Sequence, residues 1–139
     1  MKTMTWQNKT VLVTGAGGFI GSHLVETLVQ LGASTRALIH YNSASSCGWL
    51  ENSPVKNDIE IVYGDIKDSY ALKDIFKGVS TVFHLAALIA IPYSYKAPLS
   101  YVQTNIEGTL NILQNSLEAG VSKIIQRLVI SRSLPINSP

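Results

Sequence analysis

In VLVTGAGGFIGSHL, Val11 to Leu24, glycines fall at every third position, Gly15, Gly18 and Gly21, between an apolar run and a helical pattern. A helix start presents unpaired N–H groups and a partial positive charge, which together suit a phosphate. Glycine lets the backbone turn tightly, approach a pyrophosphate without a Cβ in the way, and pack the helix closely on the strand. The spacing is G-x-x-G-x-x-G. The commoner G-x-G-x-x-G would need glycine at position 20, which is Ile20, and Gly17 is additional. The other reactive side chains are sparse. His84 lies inside the apolar run Thr81 to Ala87 and reads as a buried, hydrogen-bonded core histidine rather than a catalyst. Cys47 is the only cysteine and has no Cys/His cluster beside it, so neither a disulfide nor a metal site is expected.

The elements that must position the turn can be read from periodicity. Thr10 to Thr14 is a β-branched, apolar strand, and from Phe19 the residues Ile20, Leu24, Val25, Leu28 and Leu31 recur at helical spacing. Further strands are expected at Ser34 to His40, Ile59 to Tyr63, Thr81 to Ala87 and from Lys123. A short helix is expected at Ser69 to Phe76. A long one should run from Pro98 to Ala119 with Val102, Ile106, Leu110, Leu113 and Leu117 on one face. Tyr41 to Asp58 is polar and irregular. Strands that are apolar on both faces and alternate with helices give an α/β fold with a doubly wound parallel sheet.

Bulk composition sets the outer bounds. With 139 residues, 46% of them hydrophobic, the chain suits one folded domain, and a net charge of +2 argues against a nucleic-acid partner. Apolar stretches stop short of a membrane span and the N-terminus lacks the apolar core of a signal peptide, so a cytoplasmic location is expected.

Four motifs in order carry a family resemblance. TGAGGFIG, GDI at Gly64 to Ile66, HLAA at His84 to Ala87 and TNIEGTLNIL at Thr104 to Leu113 resemble the extended short-chain dehydrogenase/reductase family, of NAD-dependent epimerase/dehydratase type. Within it, HLAALIAIPYSYKAPLSYVQTN, His84 to Asn105, most resembles sugar-nucleotide 4,6-dehydratases acting on UDP-N-acetylglucosamine, with sugar-nucleotide 4-epimerases as close relatives. The resemblance spans about Lys9 to Gln126. It implies a Rossmann-type domain over 10–131, preceded by a lead of residues 1–9 and followed by an irregular tail, 132–139, with the substrate domain absent.

The resemblance also assigns roles. Gly15, Gly18 and Gly21 would wrap the pyrophosphate, with Phe19 and Ile20 adding backbone N–H groups. Asp65 would accept from the adenine amino group, and the backbone of Ile66 would complete that edge. Leu85, Ala86 and Ala87 would line the nicotinamide-ribose side. Asn105 would organise the active-site backbone, and Tyr93 and Ser94, in the loop after Pro92, would approach a nucleotide-sugar substrate. His40 and Asn42 are the expected neighbours of the adenosine ribose. The stretch RALIHYNS, Arg36 to Ser43, has no acid, which leaves NAD and NADP both open as cofactor.

The pattern breaks at the end. Relatives follow the fifth strand with a Ser/Thr-rich stretch and Tyr-x-x-x-Lys, the acid/base pair, whereas this chain reads KIIQRLVISRSLPINSP from Lys123 and has no tyrosine after Tyr101. Ser131 and Ser133 lack a partner that would activate them. No catalytic residue is therefore assigned. The expectation is the cofactor-binding half of a sugar-nucleotide 4,6-dehydratase, inactive as it stands and truncated or shifted in frame. A catalysis-free NAD(P)-binding or interaction module, or a 4-epimerase or reductase fragment, remain as alternatives. Self-association through helix 98–119 is expected, because relatives pair through that helix and a second one.

Overall fold

The structure is a computed structural model and describes residues 5–42 and 44–127. Five strands, β1 (Thr10–Thr14), β2 (Ser34–Ile39), β3 (Glu60–Tyr63), β4 (Thr81–His84) and β5 (Lys123–Gln126), form one parallel sheet in the order β3-β2-β1-β4-β5. Helix α1 (Phe19–Gln30) links β1 to β2, and α2 (Ser69–Ile75) links β3 to β4. Between β4 and β5 lie α3 (Ile91–Lys96), α4 (Pro98–Tyr101), a π-helical segment (Val102–Glu107) and α5 (Gly108–Glu118).

The central strand explains the two layers. Val11, Leu12 and Val13 are fully buried. Because successive strand side chains point to opposite faces, Val11 and Val13 join Val25, Leu28 and Leu50 on the α1 side, while Leu12 joins Leu72, Phe76, Val82 and Ile112 on the other. A strand covered on both faces has to be apolar at every position, which is the pattern VLV carries.

Three expected elements differ. The run Thr81 to Ala87 pairs only as far as His84, which is in register with Thr14 and Gln126. The neighbouring strand β1 ends at Thr14, and the next two amides turn away: Leu85 N–H and Ala86 N–H both donate to the Thr14 hydroxyl, at 3.2 and 3.1 Å. Tyr93 and Ser94 lie on helix α3 rather than in a loop, with Pro92 in the first turn, where its missing N–H costs nothing. Finally, the helix expected over 98–119 is α-helical only at its two ends. Its middle winds as a π-helix, a geometry that favours functional sites.

The inward face of α5 is not the apolar one. Gly108, Ile112, Asn115 and Ser116 are buried, whereas Val102, Ile106, Leu110, Leu113 and Leu117 are exposed along the outside. Among the described residues no helix is long and apolar enough to cross a membrane. The tail 132–139, expected to be irregular, and Ser131 and Ser133 lie outside the described residues.

Two glycines sit at close approaches of different kinds. A Cβ on Gly21 would lie 2.2 Å from the Gly15 carbonyl oxygen, a backbone atom, and one on Gly108 would lie 2.6 Å from the Ile66 Cδ1, the end of a flexible side chain. Gly21→Ala should therefore cost about 1–3 kcal/mol of unfolding free energy, as overpacking does. Gly108→Ala should cost less, because Ile66 can rotate. Urea denaturation of both variants checks the ranking, and a Gly108→Ala loss equal to or above that of Gly21→Ala would contradict it.

Candidate functional site

In open parallel sheets of this kind, ligands bind outside the carboxyl ends of the strands where the strand order reverses. Here that crevice lies between β1 and β4, and the glycine turn fills one side of it. Gly15 has φ +69°, and a Cβ on it would come within 2.8 Å of the Ala86 nitrogen. Gly18 caps α1 with no side-chain bond, and the first turn holds no acidic residue. The amide of Gly18 closes the turn on the Gly15 carbonyl at 3.1 Å. The helix start is thus left open to an anion.

The additional Gly17 has a structural partner. Its carbonyl accepts from Trp49 N–H at 3.0 Å, and Gly48, at φ +63°, packs so tightly that a Cβ there would lie 2.3 Å from the Gly17 oxygen. This strap, a 3₁₀ turn over Gly48–Asn52, is anchored in the core by Leu50 and lays the Trp49 ring edge-on against Phe19, 5.3 Å between centroids. Within the segment 41–58, expected as irregular, the 3₁₀ turn at 48–52 thus packs on the glycine turn and braces it.

A cavity of about 440 Å³ opens beside Gly15, with His40, Asp65, Ile66, Ala86, Ala87 and Tyr93 among its walls. A smaller one of about 220 Å³ shares Ala86 and Ala87 and adds His84, Leu85 and Asn105. Asp65 is held in a tight turn: one carboxylate oxygen accepts from Lys67 N–H at 2.9 Å, and the other lies 3.5 Å from both His40 Nε2 and Lys67 Nζ. The helix cap at the start of α2 is instead Asp68, which accepts from the amides of Tyr70 and Ala71. Asn105, in the π-helical segment, grips the Leu88 backbone twice, accepting from its N–H at 2.8 Å and donating to its carbonyl at 2.9 Å.

Gly15, His40, Asp65, Ile66, Leu85, Ala86, Ala87, Tyr93 and Asn105 thus converge on the two cavities. Gly18, Phe19, Ile20 and Gly21 lie at the start of α1, outside their walls. Asn42 is turned into its own loop, exchanging hydrogen bonds with the backbone of Ser46. Ser94 does not reach the walls either. Arg36 points away from the site, with its Nε 2.6 Å from Glu60 and its Nη1 on the carbonyls of Ile75 and Lys77. Among the described residues no cluster of His, Cys, Asp or Glu could hold a metal ion.

Under the crevice runs a buried relay that the sequence reading assigned only in part. Thr14 Oγ lies 2.7 Å from His84 Nδ1, and His84 Nε2 lies 3.0 Å from Thr109 Oγ. The Thr14 oxygen already accepts two amide protons, from Leu85 and Ala86, so its own proton goes to Nδ1. The neutral imidazole then carries its proton on Nε2 and donates to Thr109. Burial pushes the His84 pKa down from 6.5 to about 4, which keeps it neutral at ordinary pH. The signal for this relay in the sequence is Thr14, a hydroxyl at the end of β1 directly before the glycine turn.

A parallel sheet in this order, with a glycine turn at the reversal point, defines the doubly wound, Rossmann-type class. The family model described as GDP-mannose 4,6 dehydratase matches residues 12–133, and the chain belongs to that family, within the epimerase/dehydratase type of the extended short-chain dehydrogenases/reductases. The UDP-glucose 4-epimerase of Erwinia amylovora is 37% identical over 120 residues, which cover 84% of this chain and 35% of that protein. Among solved structures, the epimerase Mth375 of Methanothermobacter thermautotrophicus is 38% identical with a TM-score of 0.76, over 87% of this chain and 35% of that one. The UDP-glucose-4-epimerase of Stenotrophomonas maltophila, solved with bound NAD and formylated UDP-arabinopyranose, is 27% identical with a TM-score of 0.74, over 86% and 36%. The chain therefore spans little more than a third of the length of these proteins.

The burial of His84 makes stability depend on pH. A histidine whose folded pKa is lowered stabilises the fold fully above its unfolded value, and that contribution is lost as pH falls from 6.5 to about 4. At about 1.4 kcal/mol per pKa unit, the loss is on the order of 3 kcal/mol. A His84→Gln variant should be less stable than the parent at pH 7 and should lose less on acidification. Urea midpoints measured from pH 7 to pH 4 compare the two, and parallel profiles would contradict this account.

Proposed function

We propose that this chain binds NAD in the crevice between β1 and β4 and forms the cofactor-binding part of a nucleotide-sugar 4,6-dehydratase. The observation that carries the reading is the convergence of the unobstructed Gly15 turn, Asp65 and the small residues Ala86 and Ala87 on one cavity of about 440 Å³. A volume of that size suits a small-molecule cofactor site. Bound NAD supplies a hydride acceptor for oxidation of a sugar hydroxyl.

The residues present fit that cofactor. The amides at Gly18 to Gly21 and the dipole of α1 would hold the pyrophosphate, which needs the glycine-only approach at Gly15. Asp65, with one oxygen fixed by Lys67 N–H, would accept from the adenine amino group. The carbonyl of Ile66 is taken by Asn111, so its N–H is the group that would meet the adenine edge. Ala86 and Ala87 would leave room for the nicotinamide ribose, and Asn105 would hold the Leu88 backbone at its far side. Phe19 and Ile20 would contribute through their amides, and Tyr93, with Ser94 behind it on α3, would face the sugar nucleotide.

NAD is preferred over NADP. Arg36 is committed to Glu60 and two carbonyls, and Tyr41 to Val55 contains no lysine or arginine to meet a 2′-phosphate. The dehydratase assignment rests on the likeness of His84 to Asn105 to that class, while the UDP-glucose-4-epimerase of Stenotrophomonas maltophila, solved with bound NAD, supports the choice of cofactor. With no tyrosine after Tyr101, the chain alone binds cofactor without turnover. The exposed stripe Val102, Ile106, Leu110, Leu113 and Leu117 would pair with a second copy.

Calorimetric titration of the 139-residue chain should give saturable, one-to-one NAD binding, with NADP weaker and Gly15→Ala weaker by at least about tenfold, since that side chain needs both a strained φ and space held by Ala86. No 4-keto sugar should form. Absence of binding, or unchanged binding by Gly15→Ala, would overturn the cofactor reading. In sedimentation velocity the chain should associate with rising concentration and Ile106→Glu/Leu113→Glu should remain monomeric; a concentration-independent monomer would refute the pairing.

A further inference from the structure

Among the described residues Asp65 is the one carboxylate in the cavity wall, and its hold comes from α5. The Nδ2 of Asn111, on the inward face of α5, donates to the carbonyls of Ile66 and Lys67, at 3.0 and 3.1 Å. Those two carbonyls belong to the two successive peptide units that carry the N–H groups of Lys67 and Asp68. Lys67 N–H donates to the Asp65 carboxylate at 2.9 Å, and Asp68 N–H donates to the Asp65 carbonyl at 3.0 Å. One side-chain amide therefore fixes both peptide planes that grip Asp65, one on its side chain and one on its main chain. Hydrogen bonds through a peptide unit also polarise one another, so the donation at the carbonyl strengthens the N–H on the other side.

We infer that Asn111 is a positioning residue for recognition of the adenine base, acting through the 66–67 and 67–68 peptides on Asp65. This rests on the reading of the cavity as an NAD site. Asn115, one turn further along α5, supplies the contrast. It is more deeply buried than Asn111, yet its amide donates to the backbone and hydroxyl of Ser69 and to the Asn111 carbonyl, and so holds the start of α2 rather than Asp65.

The test compares NAD with nicotinamide hypoxanthine dinucleotide, which carries an oxo group in place of the adenine amino group. A carboxylate held at the base edge accepts from the amino group and faces an acceptor in the analogue, so the wild-type chain should prefer NAD by about tenfold. In Asn111→Ala that ratio should fall toward one. Asn115→Ala should lose stability in urea but keep the ratio. Asn111→Asp, of the same shape but without the donor, gives the same reading should the alanine variant fail to fold. A ratio unchanged in folded Asn111 variants, or lost equally in Asn115→Ala, overturns the inference while leaving the cofactor site intact. A wild-type chain that binds neither dinucleotide overturns the cofactor reading and this inference with it.

Discussion

The structure turns on one close approach, the backbone of Gly15 lying against that of Leu85 and Ala86. No Cβ fits between them. The approach is held from below by Thr14, whose hydroxyl gathers the amides of Leu85 and Ala86 and passes its own proton to His84. Thr14 and His84 are opposite each other in the register of β1 and β4, so the strand pairing and the side-chain relay enforce the same geometry. The residues that face the crevice belong to four different connections, those after β1, β2, β3 and β4. A buried, fully satisfied polar relay is a demanding way to join two strands, because any missing partner would leave a desolvated polar atom. Its presence directly beneath the glycine turn fits a site where backbone placement matters more than side-chain chemistry.

Helix α5 and the π-helical segment before it carry the second layer of positioning. Apart from the core residue Ile112, their inward side is polar or small: Asn105 clamps Leu88, Thr109 accepts from His84, Gly108 admits Ile66, and Asn111 holds the carbonyls of Ile66 and Lys67. Their outward side is a row of exposed aliphatic residues. A soluble helix ordinarily turns such a row to the core. Here the row is exposed, and Asn105, Thr109 and Asn111 on the other side hold groups around the crevice. The wider turn of the π-helix accompanies the point at which Asn105 reaches across to the Leu88 backbone.

Much of this was legible in the chain. Alternating apolar strands and helices gave the doubly wound sheet, because burial on both faces demands continuous apolar runs such as Val11 to Val13. The glycine spacing marked the turn, and Asp65, Ile66, Ala86, Ala87 and Asn105, named from the sequence as cofactor neighbours, each line one or both of the two cavities. What was missed depends on contacts between distant residues. Periodicity measures apolar spacing but not which side faces inward, so it could not show that Leu110 and Leu113 point outward while Asn111 and Asn115 point in. Gly17 looked superfluous because its partner, Gly48, lies 31 positions away in a segment that read as irregular. Asn42, expected beside a ribose, finds both partners for its amide in the backbone of Ser46. Local hydrogen bonding of this kind competes with any ligand-facing orientation.

In the proposed site the glycine turn and the Asp65 loop together enclose a dinucleotide. Chemical-shift mapping of the amides during an NAD titration tests it most directly, because each proposed contact is a backbone group with its own resonance. The account predicts the largest changes at Gly15, Gly18 to Gly21, Asp65 to Lys67 and Ala86 to Leu88, saturating together with one affinity. Changes confined to the exposed face of α5, or none at these amides at saturating NAD, would contradict it.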